Sequence, residues 1–148
     1  MKVDIGPYSD SDDRHEEVIL HDYDTWSMDH TLALIALPML KQLKATKHGV
    51  PYMDYEDMPE HLQYVRRAYD PRAIYDMIDQ SQQPEWDDLN EMEFQRQIKC
   101  WDWMLDEMIW AMEQVLEDSI EYELDTEHHD RVHNGLKLFG KYYRALWD

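Results

Sequence analysis

The sequence predicts an all-α protein, and two observations support this class. Apolar residues recur with helical spacing around residues 27–47, 98–120 and 126–147, while strand-like alternation occurs only near the N-terminus. Helix start and stop signals flank these stretches. We therefore predict one helical domain over residues 1–148: a bundle of two long antiparallel helices, a buried bent helix and two short helices, with residues 1–24 as a non-helical arm or small hairpin.

Composition limits the functional classes. The chain has 148 residues, 43% hydrophobic and 12% aromatic content, which argues against disorder despite a formal net charge of -19. No apolar run approaches the roughly 18 residues of a membrane span, and the first residues lack a signal-peptide core. Cys100 is the only cysteine, which excludes an internal disulfide and a cysteine-based zinc site. We expect a soluble cytoplasmic protein that binds neither membrane nor nucleic acid directly and favours partners with a basic surface.

The N-terminal part has weak strand signals. Val3 and Ile5 alternate with polar residues, and residues 18–20 form a second short apolar run. These runs allow a small two-stranded element across the acidic segment 9–17, whereas Pro7 and the acidic cluster at residues 10–13 suggest a mobile loop or arm instead.

The first strong helix is predicted from Ser27 to about Lys47, with Ser27 as N-cap. Its apolar residues lie almost all round, which predicts a buried helix. Pro38 lies inside it and predicts a bend, because proline removes one backbone hydrogen bond. The basic residues of its last turns suit the helix dipole better than a phosphate site. They are Lys41, Lys44, Lys47 and His48.

Two short helices and a last long one are predicted around the central helix. A capping box at residues 57–60 opens a short helix that carries Tyr69, and Asp70 with Pro71 restarts a second one. Residues 80–84 form a polar linker, so the central helix is expected to begin as early as Glu85.

The last helix is predicted from Asp125 or Thr126 to Trp147. Gly135 and Gly140 lie within it, where the lack of a side chain permits close approach of a neighbouring helix.

The central helix, from Ile98 to Ile120 in its apolar part, carries the most informative pattern. One wide face is apolar, and an acidic stripe runs beside it. The acidic stripe consists of Asp102, Asp106, Glu113 and Glu117. Trp103 and Trp110 project almost opposite the apolar face, between the acidic stripe and Glu107. One interpretation is a central helix packed on both sides, since tryptophan is usually buried in part. The other is a binding surface of two aromatic anchors among acids, formed by Trp103, Trp110, Glu107 and the acidic stripe.

Two constellations could bind a metal. His129 and His133 lie four residues apart, one residue from the H-E-x-x-H pattern, with Asp130 in the glutamate position and no evident third ligand. The carboxylates of the acidic stripe could hold metal ions as in all-α nucleotide pyrophosphohydrolases or ferritin-like bundles, but their spacing differs from both. We therefore predict no metal and no cofactor, with His129 and His133 as the best candidates if one exists.

The acidic stripe can also be interpreted as a surface. Carboxylates one helical turn apart lie about 6 Å from each other, close to the spacing of phosphates along a nucleic-acid strand. A rigid helix could thereby imitate nucleic acid toward a DNA-binding or RNA-binding protein, whereas the plain alternative is a solvated face that maintains solubility.

Four stretches of the chain are distinctive in sequence: WSMDHTLA (26–33), KHGVP (47–51), WDWMLDEMIWA (101–111) and NGLKLFGKYY (134–143). They resemble a family of small hypothetical proteins of tailed bacteriophages, including cyanophages. The family has no assigned activity, so the resemblance implies a setting, the cytoplasm of an infected bacterium, and no catalytic residue.

These observations favour a non-enzymatic phage accessory protein that acts by binding a host or phage protein, with an acidic inhibitor that imitates nucleic acid as one form of it. The alternatives are a metal-dependent all-α enzyme that uses helix carboxylates, perhaps on nucleotides, and a virion or assembly component. A homodimer is also open.

Overall fold

A computed structural model of the chain describes residues 1–8, 14–63, 83–117 and 126–147. The protein is mostly helical, as predicted, and the described residues form three α-helices and one antiparallel hairpin. The strands are β1 (Lys2–Tyr8) and β2 (Arg14–Ile19), and the helices are α1 (Met28–Thr46), α2 (Gln83–Glu117) and α3 (Thr126–Lys141). Short 3₁₀ turns cover Asp22–Thr25, Tyr55–Asp57, Glu60–Leu62 and Tyr143–Ala145. Within these residues the hairpin is the only sheet, which agrees with the predicted N-terminal element.

The helix α2 lies in the centre of the arrangement. Both α1 and α3 pack on it, and their pairings show that each runs antiparallel to α2. Lys47 at the end of α1 meets Asp102, whereas Lys41 meets Glu113 further along α2. Arg131 near the start of α3 meets Glu107. The predicted bundle of two long antiparallel helices is therefore confirmed only in part, because both flanking helices run antiparallel to α2 but the last one has 16 residues and α1 has 19.

The core is built mainly from α2 and is rich in methionine. The largest fully buried side chains are Cys100, Trp101, Met104, Leu105, Met108 and Leu138. The ring of Tyr142 meets that of Trp101 edge to face, with ring centroids 5.9 Å apart. Aromatic pairs prefer this geometry because the positive ring edge faces the negative ring face.

Gly135 fixes how closely α2 and α3 approach. A methyl group in place of its hydrogen would lie 2.5 Å from both Ala111 Cβ and the carbonyl oxygen of Glu107. The prediction of a close helix approach is therefore right at Gly135. It is wrong at Gly140, where a methyl group would meet nothing within 4 Å.

The helix α1 is not the buried helix that its composition predicts. Only Ala33 and Leu40 are buried in it, whereas Leu32, Leu34 and Met39 are 54%, 56% and 66% exposed. The reason is that only one side of α1 packs on α2, and its apolar residues extend beyond that side. Ser27 is the N-cap residue, as predicted, although its side chain makes no capping hydrogen bond.

Other boundaries also differ from the prediction. The capping box at residues 57–60 is replaced by two 3₁₀ turns, and α2 begins by Gln83, inside the predicted linker. The last helix ends at Lys141 rather than Trp147. The second predicted short helix, from Asp70, lies outside the described residues. Among the helices of the described part, none is long and apolar enough to cross a membrane.

Candidate functional site

Three acids of the acidic stripe pair with lysines of α1. Lys44 Nζ lies 2.5 Å from Asp106 Oδ1, Lys41 Nζ lies 2.7 Å from Glu113 Oε1, and Lys47 forms an ion pair with Asp102. The Lys47 side chain is only 10% exposed, whereas Lys41 is 52% exposed. Three of the four carboxylates of the acidic stripe therefore have a lysine of the same chain as an ion-pair partner. The acidic stripe is not a row of free carboxylates.

The lysines therefore do more than balance the dipole of α1, because they also form ion pairs with α2. The sequence places Lys41, Lys44 and Lys47 three residues apart on one side of α1, and the antiparallel packing brings each beside one acid. The two most exposed pairs contribute well under about 1 kcal/mol each, because solvent screens them.

Glu107 is buried and pairs with α3. Arg131 donates two hydrogen bonds to it, from Nε to Oε2 at 3.0 Å and from Nη2 to Oε1 at 2.8 Å. These bonds raise the pKa of the Arg131 guanidinium, and a two-point fork of this kind is among the stronger charge-assisted contacts. Glu107 is therefore occupied by its own chain.

The two tryptophans are half-buried within the chain, which argues against the interpretation of two aromatic anchors on a binding surface. Trp110 lies beneath the Arg131 guanidinium, whose Cζ is 3.9 Å from the ring centroid, and meets the His128 ring edge to face at 5.0 Å. Trp103 packs against the core. Since Arg131 and His128 of α3 cover the Trp110 indole, the interpretation of α2 as a central helix packed on both sides explains the position of that tryptophan.

His129 and His133 line an open cavity of about 260 Å³ between α1, α2 and α3, together with Asp29 and His128. The two rings lie 4.1 Å apart between centroids, and His133 Nδ1 lies 3.1 Å from the carbonyl oxygen of His129. No third ligand atom of the described residues lies close enough to complete a metal site with them.

We predict that purified protein holds no stoichiometric transition metal at His129 and His133. A pair of imidazoles supplies two ligands, whereas stable zinc sites use three or four protein ligands. Elemental analysis of wild-type protein and of His133→Ala checks this. About one zinc or iron per chain, lost in the variant, would contradict the prediction.

A different group with metal-ligand chemistry lies on the hairpin. Ligand atoms of Asp4, His15 and Glu17 lie within 4.8 Å of one another, the only such trio in the described part of the chain. The strand register causes this, because Asp4 pairs with Glu17 and His15 precedes Glu17 by two residues on the same face. Lys2 Nζ lies 2.5 Å from Glu17 Oε2, so one of the three candidate ligands already forms an ion pair with an ammonium group.

A buried acid links the chain after α1 to the end of α3, and sequence reasoning missed it. The hydroxyl of Tyr142 donates to Asp57 Oδ2 at 2.8 Å and accepts from the backbone N–H of Asp54 at 2.9 Å. Lys141 forms ion pairs with Asp57 and with Asp54. Burial alone would raise the pKa of Asp57, but the hydrogen bonds from Lys141 and Tyr142 outweigh it and lower that pKa. The group is satisfied internally, so we assign it a structural role.

The exposed side of α1 is apolar. We define the outer face of α1 as Met28, Leu32, Leu34, Ile35, Pro38 and Met39. Five of these six residues are exposed, and Ile35 is half-buried. The ten exposed residues of α1 include only two charged ones, Asp29 and Lys41. Trp26, two residues before α1, is 85% exposed.

No family model, no curated protein and no solved structure matches the chain. The site is therefore described from its own geometry.

Proposed function

We propose that this protein is a phage accessory protein of the host cytoplasm that acts by binding another protein, and that the outer face of α1 is its contact surface. The observation that carries the proposal is an uncharged, apolar helix face in a chain of formal net charge -19. The phage setting rests on the resemblance of the four sequence stretches given above.

Exposed apolar residues are informative when they are contiguous. Single exposed leucines are common, but a continuous apolar area of several hundred Å² is typical of an interaction site. Leu32, Ile35 and Met39 follow one another along one side of α1, and Leu32 and Met39 are more than half exposed. Burial of such side chains contributes roughly 25 cal/mol per Å² of apolar area, so this face can supply binding energy.

The acidic stripe supports the alternative surface less well. A partner that used these carboxylates as phosphate substitutes would compete with Lys41, Lys44 and Lys47. Glu117 is the one exposed member of the acidic stripe for which the described structure records no ion pair. Binding through nucleic-acid imitation would also weaken steeply with salt, because exposed charges are screened over about 10 Å at 0.1 M ionic strength.

An affinity capture from infected host cells with three variants separates the surfaces. Met39→Glu changes the outer face of α1, and Met92→Glu is its matched control, since the two methionines are 66% and 65% exposed. The third variant replaces Asp102, Asp106, Glu113 and Glu117 with their amides. The partner identified with wild-type protein is then purified, and its binding to each variant is measured.

We expect Met39→Glu to weaken binding by about tenfold or more, because it places an unpaired carboxylate in an apolar contact. Met92→Glu and the amide variant should bind as wild type does. Loss of binding in the amide variant alone, with competition by duplex DNA or RNA, would instead support the acidic stripe.

A further inference from the structure

We propose that the occupant of the outer face of α1 is a second copy of this chain, packed so that the two α1 helices run antiparallel about a two-fold axis. This inference rests on the proposed function and names the partner of the same surface.

The outer face contains a seam with the spacing of a coiled coil. Met28, Leu32, Ile35 and Met39 follow one another at intervals of four, three and four residues. This spacing places side chains in a row along one side of a helix, where they interdigitate with a similar row. The side that packs on α2 holds Ala33 and Leu40 instead, so α1 has one seam inside the chain and a second seam outside it.

The seam is complementary to itself. When two copies meet head to tail with the axis between Ala33 and Leu34, Met28 faces Met39 of the partner and Leu32 faces Ile35 of the partner. Both of these contacts are apolar. Each of them occurs twice, because a two-fold interface uses the same patch on both copies. Thr31 and Ala36 flank the centre of the seam, and their small side chains permit close approach.

Charge favours the antiparallel direction and confines any contact between copies to the seam. Two chains of net charge -19 repel each other over most of their surfaces, so copies can meet only at an uncharged patch, and the seam carries no charge. A parallel pair would also bring Asp22 and Asp29 beside their own copies, whereas the antiparallel pair separates these acidic ends. Antiparallel packing also places opposite ends of the helix dipoles side by side.

The expected dimer is weak. The seam from Met28 to Met39 spans about 16 Å at 1.5 Å per residue, and interfaces below about 1,200 Å² are typical of transient contacts. We therefore expect a micromolar dissociation constant.

Sedimentation equilibrium of purified protein, from about 1 to 300 µM to cover that range, tests the dimer. Wild-type protein and Met92→Glu should dimerise alike, while Met39→Glu should raise the dissociation constant by about 100-fold, because each substitution occurs twice in the interface. Circular dichroism confirms that both variants keep their helical content. A wild-type protein that stays monomeric, or a Met39→Glu variant that dimerises as well as wild type, would overturn the inference.

Cross-linking tests the direction of packing. Cys100 is fully buried, so an introduced thiol is the accessible one. A mixture of Met28→Cys and Met39→Cys should form mixed dimers with a short bifunctional maleimide, while Met28→Cys alone should not cross-link. Self-cross-linking of Met28→Cys would contradict the antiparallel arrangement.

The two proposals fail separately. A monomeric protein whose capture of another purified protein still depends on Met39 would refute the second copy and leave the proposed function intact. A dimer through Met39 that captures only itself would support the second copy and refute the proposed function, in which this face binds another protein.

Discussion

Replacement of Gly135 by alanine is expected to lower the free energy of unfolding by about 2 kcal/mol. The new methyl group would lie 2.5 Å from the backbone oxygen of Glu107 and from Ala111 Cβ, so α2 and α3 would have to separate. Overpacking of this kind costs about 1–3 kcal/mol. The gain of up to about 1 kcal/mol in helix propensity offsets only part of it.

Gly140→Ala is the matched control in the same helix. Nothing lies within 4 Å of a methyl group there, so the substitution should stabilise the protein by about 0.5–1 kcal/mol through helix propensity. Urea unfolding followed by circular dichroism measures both. Equal effects of the two substitutions would show that α2 and α3 are not in close contact at Gly135.

Replacement of Asp57 by alanine is expected to cost about 3 kcal/mol, because it removes the partner of a buried hydroxyl and of Lys141. Asp54→Ala is the control. The Asp54 side chain is 43% exposed, and its ion pair with Lys141 lies near solvent, so its loss should cost less than about 1 kcal/mol. Its backbone N–H, which donates to Tyr142, remains in the variant.

The same group predicts a dependence on pH. The pKa of Asp57 is lower in the folded chain than in the unfolded one, where it is about 3.9. Its stabilisation is therefore complete above the unfolded pKa and is lost as the pH falls below about 4 toward the folded pKa. Urea unfolding of wild-type protein and Asp57→Asn from neutral pH to about pH 3 measures this. The difference between them should shrink with acidification, and a constant difference would contradict a role for the ionised carboxylate.

Helix positions were predictable because their signals are local. The periodicity and the N-cap at Ser27 place α1 within about one residue at each end. The close approach was also predicted correctly at Gly135, although the same prediction failed at Gly140 of the same helix.

Partners distant in sequence were not predictable. The acids of the acidic stripe looked solvated, yet Lys44 and Asp106 pair across 62 residues. Asp57 was predicted to cap a helix, but its carboxylate meets Tyr142, 85 residues away. Helical periodicity shows which residues share a face of one helix. It does not show which side chains of another element contact that face.

The burial of α1 failed for a related reason. Its composition shows that it can be buried on all sides, but burial requires partners, and among the described elements α2 covers only one side. The spacing of Met28, Leu32, Ile35 and Met39 was present in the sequence and was the available signal for a second seam.

The single thiol makes the stability of α2 directly measurable. Cys100 is fully buried, and burial raises its pKa to about 11, so the folded chain presents almost no reactive thiolate at neutral pH. A thiol reagent must wait for an opening of the protein around α2, and when reclosing is fast the labelling rate reports the free energy of that opening. A value equal to the global unfolding free energy would mean that α1, α2 and α3 separate together. A smaller value would mean that one flanking helix leaves α2 while the other stays in place.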